Sequence, residues 1–172
     1  MKNIVLIGMM GCGKTTCGTL LSRKLGWPLV DTDSMIVEKE GRSIDEIFAV
    51  EGEEYFRQRE TEIALELSGK SGLIIATGGG MPLREENAQA LRKNGVVFWL
   101  KRDPASTFAS ESMEGRPLAQ DGQEAFVKRF QERAPKYEKA CHVIIEDFTS
   151  PSITADKILR AYRAGERKER KN

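Results

Sequence analysis

The chain lacks any apolar run near the 18 or so residues that a membrane-spanning helix needs. Its first apolar run, IVLI, is four residues long and passes into GMMGCGKTT rather than into a cleavage site, so a signal peptide is not expected and cytosolic residence is. Histidine is nearly missing, with His142 alone. Cysteine is sparse and odd in number, and Cys12, Cys17 and Cys141 lack the spacing of metal ligands. No zinc site and no disulfide framework are implied. There is no dominant charge either: 27 basic residues face 26 acidic ones. The last ten residues hold five basic and two acidic side chains, which leaves the body slightly acidic and without an electrostatic footprint for nucleic acid. The charged tail, 164–172, is expected to be disordered, with a basic docking arm as the alternative.

What remains is the composition of one globular domain. The 172 residues suit a single domain, and 40% of them are hydrophobic, with 16 glycines besides. Short apolar runs at 2–7, 28–31, 73–77, 96–100 and 142–146 read as buried strands. Helical spacing predicts helices over 14–25, from about 44, over 53–68, 85–94, 104–111, 123–139 and 152–163. Gly26 closes the first as a C′ glycine, and Ser43 with Glu46 forms a capping box. Residues 112–122, rich in glycine and polar groups, read as a loop. Strands alternating with helices argue for an α/β fold whose parallel sheet is covered on both faces.

Gly8-Met9-Met10-Gly11-Cys12-Gly13-Lys14-Thr15 satisfies GxxxxGK[ST] between a predicted strand and a predicted helix. Glycines let backbone N–H groups converge on phosphate oxygens at a helix N-terminus. Lys14 would reach the β- and γ-phosphates, and Thr15 would place its hydroxyl on Mg²⁺. Cys12 is read as a passive backbone donor in this loop, with a redox-sensing thiol as the alternative. The guanine-specifying NKxD tetrad and a DxxG switch are absent, which favours a small-molecule kinase over a GTPase.

Further residues suit an acceptor. Asp31 and Asp33 flank Thr32 at the end of the second strand, where parallel sheets bind ligands. One could hold Mg²⁺ and the other orient a hydroxyl, unless Asp33 merely caps the next helix. Arg57 and Glu60, at i and i+3, form at least a local ion pair, and a guanidinium held so could bind a carboxylate. Gly78, Gly79 and Gly80 end the third strand, offering either a plain turn or a backbone that a ligand can touch. Arg116, in the polar loop, either closes over ATP or stays in solvent. Arg133 falls on the inward stripe of Phe126, Phe130, Ala134 and Tyr137, as a ligand for an anion or as a snorkelling side chain.

These motifs, GMMGCGKTT, VDTD, FRQRE, ATGGGM, RPLA and RAPKY in that order, resemble the shikimate kinase family over residues 4 to 160. The resemblance implies a three-layer P-loop fold with a five-stranded parallel sheet in the order 2-3-1-4-5. It implies one kinase domain over 1–163, with acceptor-binding helices at about 34–69 and a mobile lid at about 112–122. The implied reaction moves the γ-phosphoryl group of ATP to the 3-hydroxyl of shikimate, on the route to aromatic amino acids. ATP is then the co-substrate and Mg²⁺ the cofactor, held by Thr15 and, through water, Asp31. Gly11, Cys12, Gly13, Lys14, Thr15, Thr16 and Arg116 would bind ATP, and Lys14, Asp33 and Arg116 would serve catalysis. Asp33, Arg57, Gly78, Gly79, Gly80 and Arg133 would bind shikimate. A monomer without nucleic-acid or membrane partners is expected. The chain departs from the family where an adenine-packing arginine usually precedes the lid, since Phe108-Ala109-Ser110 stand there. Alternatives are another P-loop kinase, of the gluconate kinase type, and a catalytically weak kinase-like regulatory protein.

Overall fold

The computed structural model describes residues 1–110 and 122–169. β1 (Asn3–Ile7) leads into α1 (Lys14–Leu25); β2 (Leu29–Asp31) is followed by three helices, α2 (Thr32–Glu40), α3 (Ile44–Glu51) and α4 (Glu53–Ser68). β3 (Ile74–Ala76), a 3-10 turn at Met81–Leu83 and α5 (Glu85–Lys93) come next, then β4 (Gly95–Leu100), α6 (Pro104–Ser110), α7 (Gly122–Ala140), β5 (Val143–Ile145) and α8 (Pro151–Glu169). The strands pair in parallel in the order β2-β3-β1-β4-β5.

Alternation along the strands builds two cores. Ile4, Leu6, Ile74, Phe98, Leu100 and Ile145 face α1 and α8, meeting Leu21, Ala155, Ile158 and Leu159. Val5, Ile7, Ile75, Val97 and Trp99 face the other way, onto Ile36, Ile47, Phe56, Ile63, Leu67, Phe126 and Tyr137. A sheet buried on both faces needs the near-continuous apolar strands that the sequence carries. Each fully buried aliphatic side chain in these layers contributes about 1.5–3 kcal/mol over its exposed state.

Local chemistry sets the helix ends. Gly26 takes φ 69° and donates its N–H to Ser22 O, as a C′ glycine does. At α3 the capping box is complete: Glu46 N donates to Ser43 Oγ at 3.2 Å and Ser43 N to Glu46 Oε2 at 2.8 Å. α7 runs through Pro135. α8 continues to Glu169, so the expected disorder from residue 164 gives way to helix over 164–169. Tyr162, one turn earlier, donates its hydroxyl to O of Lys2, the residue before β1, at 2.7 Å and lies 3.2 Å from Glu166 Oε1, which ties this part of the helix to the N-terminal end of the sheet. Most of the lid expected at 112–122 lies outside the described residues, and α7 already begins at Gly122.

The loops after β1, β2 and β3 leave the sheet at one carboxyl edge. Thr77 N donates to Leu6 O at 3.1 Å and Gly78 N to Thr32 Oγ1 at 2.9 Å, so the segment after β3 is stitched to β1 and to the start of α2. That edge is the ligand-binding position of open parallel sheets.

Candidate active site

The phosphate loop needs its glycines. Gly8, Gly11 and Gly13 have φ of 143°, 75° and 100°, a region that side chains disfavour. A Cβ at Gly8 would also stand 2.9 Å from both Cys12 Sγ and Leu100 O. Gly13 caps α1 without any side-chain acceptor, so the first-turn N–H groups of Lys14, Thr15 and Thr16 point out of the helix start as a group. Together with the helix dipole they suit an anion. Lys14 Nζ folds over this loop, donating to Gly8 O and Met9 O at 2.8 Å each, 3.7 Å from Cys12 Sγ. Cys12 does not offer its N–H outward: it donates to Met9 O at 3.3 Å, closing a turn inside the loop. Arg102, just past β4, brings Nη1 to 3.5 Å from Gly11 O, a neighbour that no motif signalled.

Asp31 proves to be the N-cap of α2, its Oδ1 accepting from Ser34 N at 3.0 Å. Capping therefore falls to Asp31, and Asp33, in the first turn, is left to face the site. Burial pushes the Asp33 carboxyl above the usual range, and the charge of Asp31 adds to this, while Lys14 and Arg57 pull it back.

The three glycines after β3 meet three different charged side chains. A Cβ at Gly78 would collide with Asp33 Oδ1; one at Gly79 would stand 3.3 Å from Arg133 Nη1; one at Gly80 would fall on the Arg57 guanidinium, 2.7 Å from Cζ. The same Gly79 position lies 3.5 Å from Gly8 O and 3.7 Å from Met10 N, so the acceptor side and the phosphate loop share a wall. These approaches, rather than torsion, favour glycine here, since none of the three has a positive φ: a methyl at Gly78 or Gly80 would displace the Asp33 carboxylate or the Arg57 guanidinium, and one at Gly79 would press on Arg133.

The two arginines differ in how they are held. Arg57 Nη1 bonds Glu60 Oε2 at 2.8 Å and Nη2 bonds Glu53 Oε1 at 3.2 Å. Glu60 is 1% exposed; burial raises its pKa against the pull of Arg57. The expected local pair is thus present, with its carboxylate buried on the Phe56, Ile63 and Leu67 face of α4 and its guanidinium half-buried. Arg133 is half-buried and makes no ion pair with a described residue; its Nη1 lies 4.0 Å from Met9 Sδ. Arg116, expected over the phosphates, lies outside the described residues. Phe108, where an adenine-packing arginine is missing, packs into the core, its ring 5.7 Å from that of Phe126.

The shikimate kinase family model matches residues 10–163. The chain belongs to the shikimate kinase family. Shikimate kinases of Thermodesulfovibrio yellowstonii and Bacillus cytotoxicus are 42% and 46% identical to it over 165 residues each, covering 94% and 93% of this chain and 95% and 98% of theirs. The structure of shikimate kinase from Acinetobacter baumannii in complex with shikimate superposes with a TM-score of 0.87 at 35% identity, covering 96% of this chain and 94% of that one. An adenylyl-sulfate (APS) kinase from Mycobacterium tuberculosis, at 12% identity and a TM-score of 0.61, shares the fold alone. Members of the family are ATP-dependent kinases acting on shikimate, and the strand order 2-3-1-4-5 read from the motifs is the one found.

Proposed function

We propose that the chain phosphorylates the 3-hydroxyl of shikimate from ATP, with the charged groups around Gly78–Gly80 as its acceptor pocket. The observation that carries this reading is the triple glycine: one carboxylate and two guanidinium groups, from α2, α4 and α7, converge on three consecutive backbone units beside the phosphate loop. An acceptor that bears both a carboxylate and a hydroxyl fits that set. Arg133, without an ion-pair partner among the described residues, takes the carboxylate. Arg57, its fork fixed by Glu60 and Glu53, offers a preorganised second contact. Asp33 aligns the attacking hydroxyl and accepts its hydrogen bond.

On the donor side, the first-turn N–H groups of α1 and the side chain of Lys14 hold the β- and γ-phosphates. Lys14 must leave Gly8 O and Met9 O to do so. No group of three His, Cys, Asp or Glu side chains that could hold a metal exists among the described residues. Mg²⁺ is usually carried on phosphates by one or two protein oxygens, and the hydroxyl of Thr15 and the carboxylate of Asp31 would supply such oxygens. The ion would neutralise charge on the transferring group. Arg116 is assigned to the same charge from the sequence alone. Positioning and electrostatics then provide most of the acceleration, as phosphoryl transfer asks little covalent chemistry of the protein.

The chain is further proposed to act in the cytosol; no helix among the described residues is long and apolar enough to cross a membrane. A coupled ADP-release assay tests the substrate. Turnover with shikimate far above that with gluconate or nucleoside monophosphates is expected. Equal rates, or none with shikimate, would overturn the reading.

A further inference from the structure

Tyr137 has no part in the roles above, yet it is fully buried where the phosphate loop meets the acceptor pocket. Its hydroxyl donates to Gly79 O at 2.7 Å, across 58 residues of chain. The same oxygen lies 3.6 Å from the sulfur of Met9, a residue of the phosphate loop. Trp99 holds the ring from the sheet side, its centroid 5.7 Å away, so the phenol has little room to drift. Burial pushes the phenol up to about 12, which keeps the hydroxyl protonated and a donor throughout the neutral range.

A peptide unit is planar, so the direction of the Gly79 carbonyl fixes that of the Gly80 N–H, which points the opposite way. That N–H has no hydrogen-bond partner among the described residues. Gly78 donates to Thr32 Oγ1 at 2.9 Å and accepts from Met81 N at 3.2 Å, which makes Gly79–Gly80 the central peptide of a turn; with glycine at both positions that peptide can flip within the turn, so the turn alone does not fix its direction. We propose that Tyr137 is a positioning residue: its hydroxyl orients the Gly79–Gly80 peptide, so that the Gly80 N–H is presented to the acceptor's carboxylate, and sets that peptide's distance from the phosphate loop. This rests on the shikimate kinase reading for the identity of the acceptor, not for the geometry.

Tyr137→Phe keeps the ring and removes only the hydroxyl. In the full chain, the KM for shikimate should rise about threefold to tenfold, the equivalent of one net hydrogen bond. ADP affinity, measured without acceptor by calorimetry, should stay within twofold. Amide exchange of the 77–82 segment in the ligand-free variant should quicken several-fold. Unchanged exchange would overturn the proposal whatever the KM, since the hydroxyl also neighbours the Arg133 guanidinium and losing that contact would by itself raise the KM. So would ADP affinity falling in parallel with shikimate affinity, since general loosening would do that. Wild-type protein that fails to turn over shikimate would sink the substrate assignment while leaving the exchange result to decide the role of Tyr137. Should the variant not fold, NMR of the wild type decides: a protected Tyr137 hydroxyl proton with contacts to the Gly79 and Gly80 protons supports the role, and its absence overturns it.

Discussion

Arg133→Ala separates the two halves of the site most cleanly. Arg133 has no ion pair to a described residue; its neighbours are Met9 Sδ at 4.0 Å and the Tyr137 hydroxyl, which keeps its own bond to Gly79 O, so truncation leaves no buried carboxylate unpaired. The expected cost to folding is therefore small, about 1 kcal/mol, which lowers the Tm of a chain this long by about 2–4 °C. The cost to acceptor recognition should be larger. A hydrogen bond to a charged group is worth about 1.5–3 kcal/mol, so kcat/KM for shikimate should fall by about 10-fold to 150-fold. The KM for ATP and the affinity for ADP should change less than twofold. Steady-state kinetics with both substrates varied, calorimetry with ADP and a thermal scan give the three numbers. Arg133→Lys should recover part of the loss, since it restores the charge but not the fork. Equal losses for both substrates, or none for either, would refute the assignment of Arg133 to the acceptor.

Asp33→Asn should lower kcat by about 10²–10⁴-fold, the range of a positioned acid–base group. It should also raise Tm at pH 7. A carboxyl whose folded pKa lies above its unfolded value destabilises the folded state once ionised, so the gain should shrink as pH falls through the ordinary carboxylate range, and a gain that grows towards acid would contradict it. Gly79→Ala puts a methyl 3.3 Å from Arg133 Nη1 and 3.5 Å from Gly8 O at an unstrained φ. The shikimate KM should rise at least tenfold with a modest loss of Tm; an unchanged KM would show that the pocket lies elsewhere. Ser43→Ala removes one half of an exposed capping box and should cost about 1 kcal/mol of stability, read by denaturant titration, with kcat and both KM values unchanged.

The strand–loop–helix around Lys14, the capping box and the alternating strands were all legible because each rests on short-range chemistry. So was the pairing of Arg57 with Glu60. What the sequence concealed depends on long-range packing. Asp31 and Asp33 are equivalent by composition; only the entry angle of α2 makes the first the cap and frees the second. Glu60 was legible by spacing, since it falls on the Phe56, Ile63 and Leu67 face of α4; only its depth in the packed core was not. The reach of Arg102 to Gly11 needs the neighbouring of β1 and β4, and the bond from Tyr137 to Gly79 spans 58 residues. The helical course of 164–169 escaped because its polar composition favours solvent, while the anchor that holds the helix, Tyr162 on Lys2, comes from the other end of the chain.

A crystal structure of the chain with shikimate and MgADP tests the central claim most directly. The account predicts the shikimate carboxylate between the guanidinium groups of Arg57 and Arg133, against the Gly79–Gly80 backbone, with a ring hydroxyl on Asp33 facing the phosphate loop. Shikimate bound away from both arginines, or with its carboxylate turned towards Asp33, would contradict it.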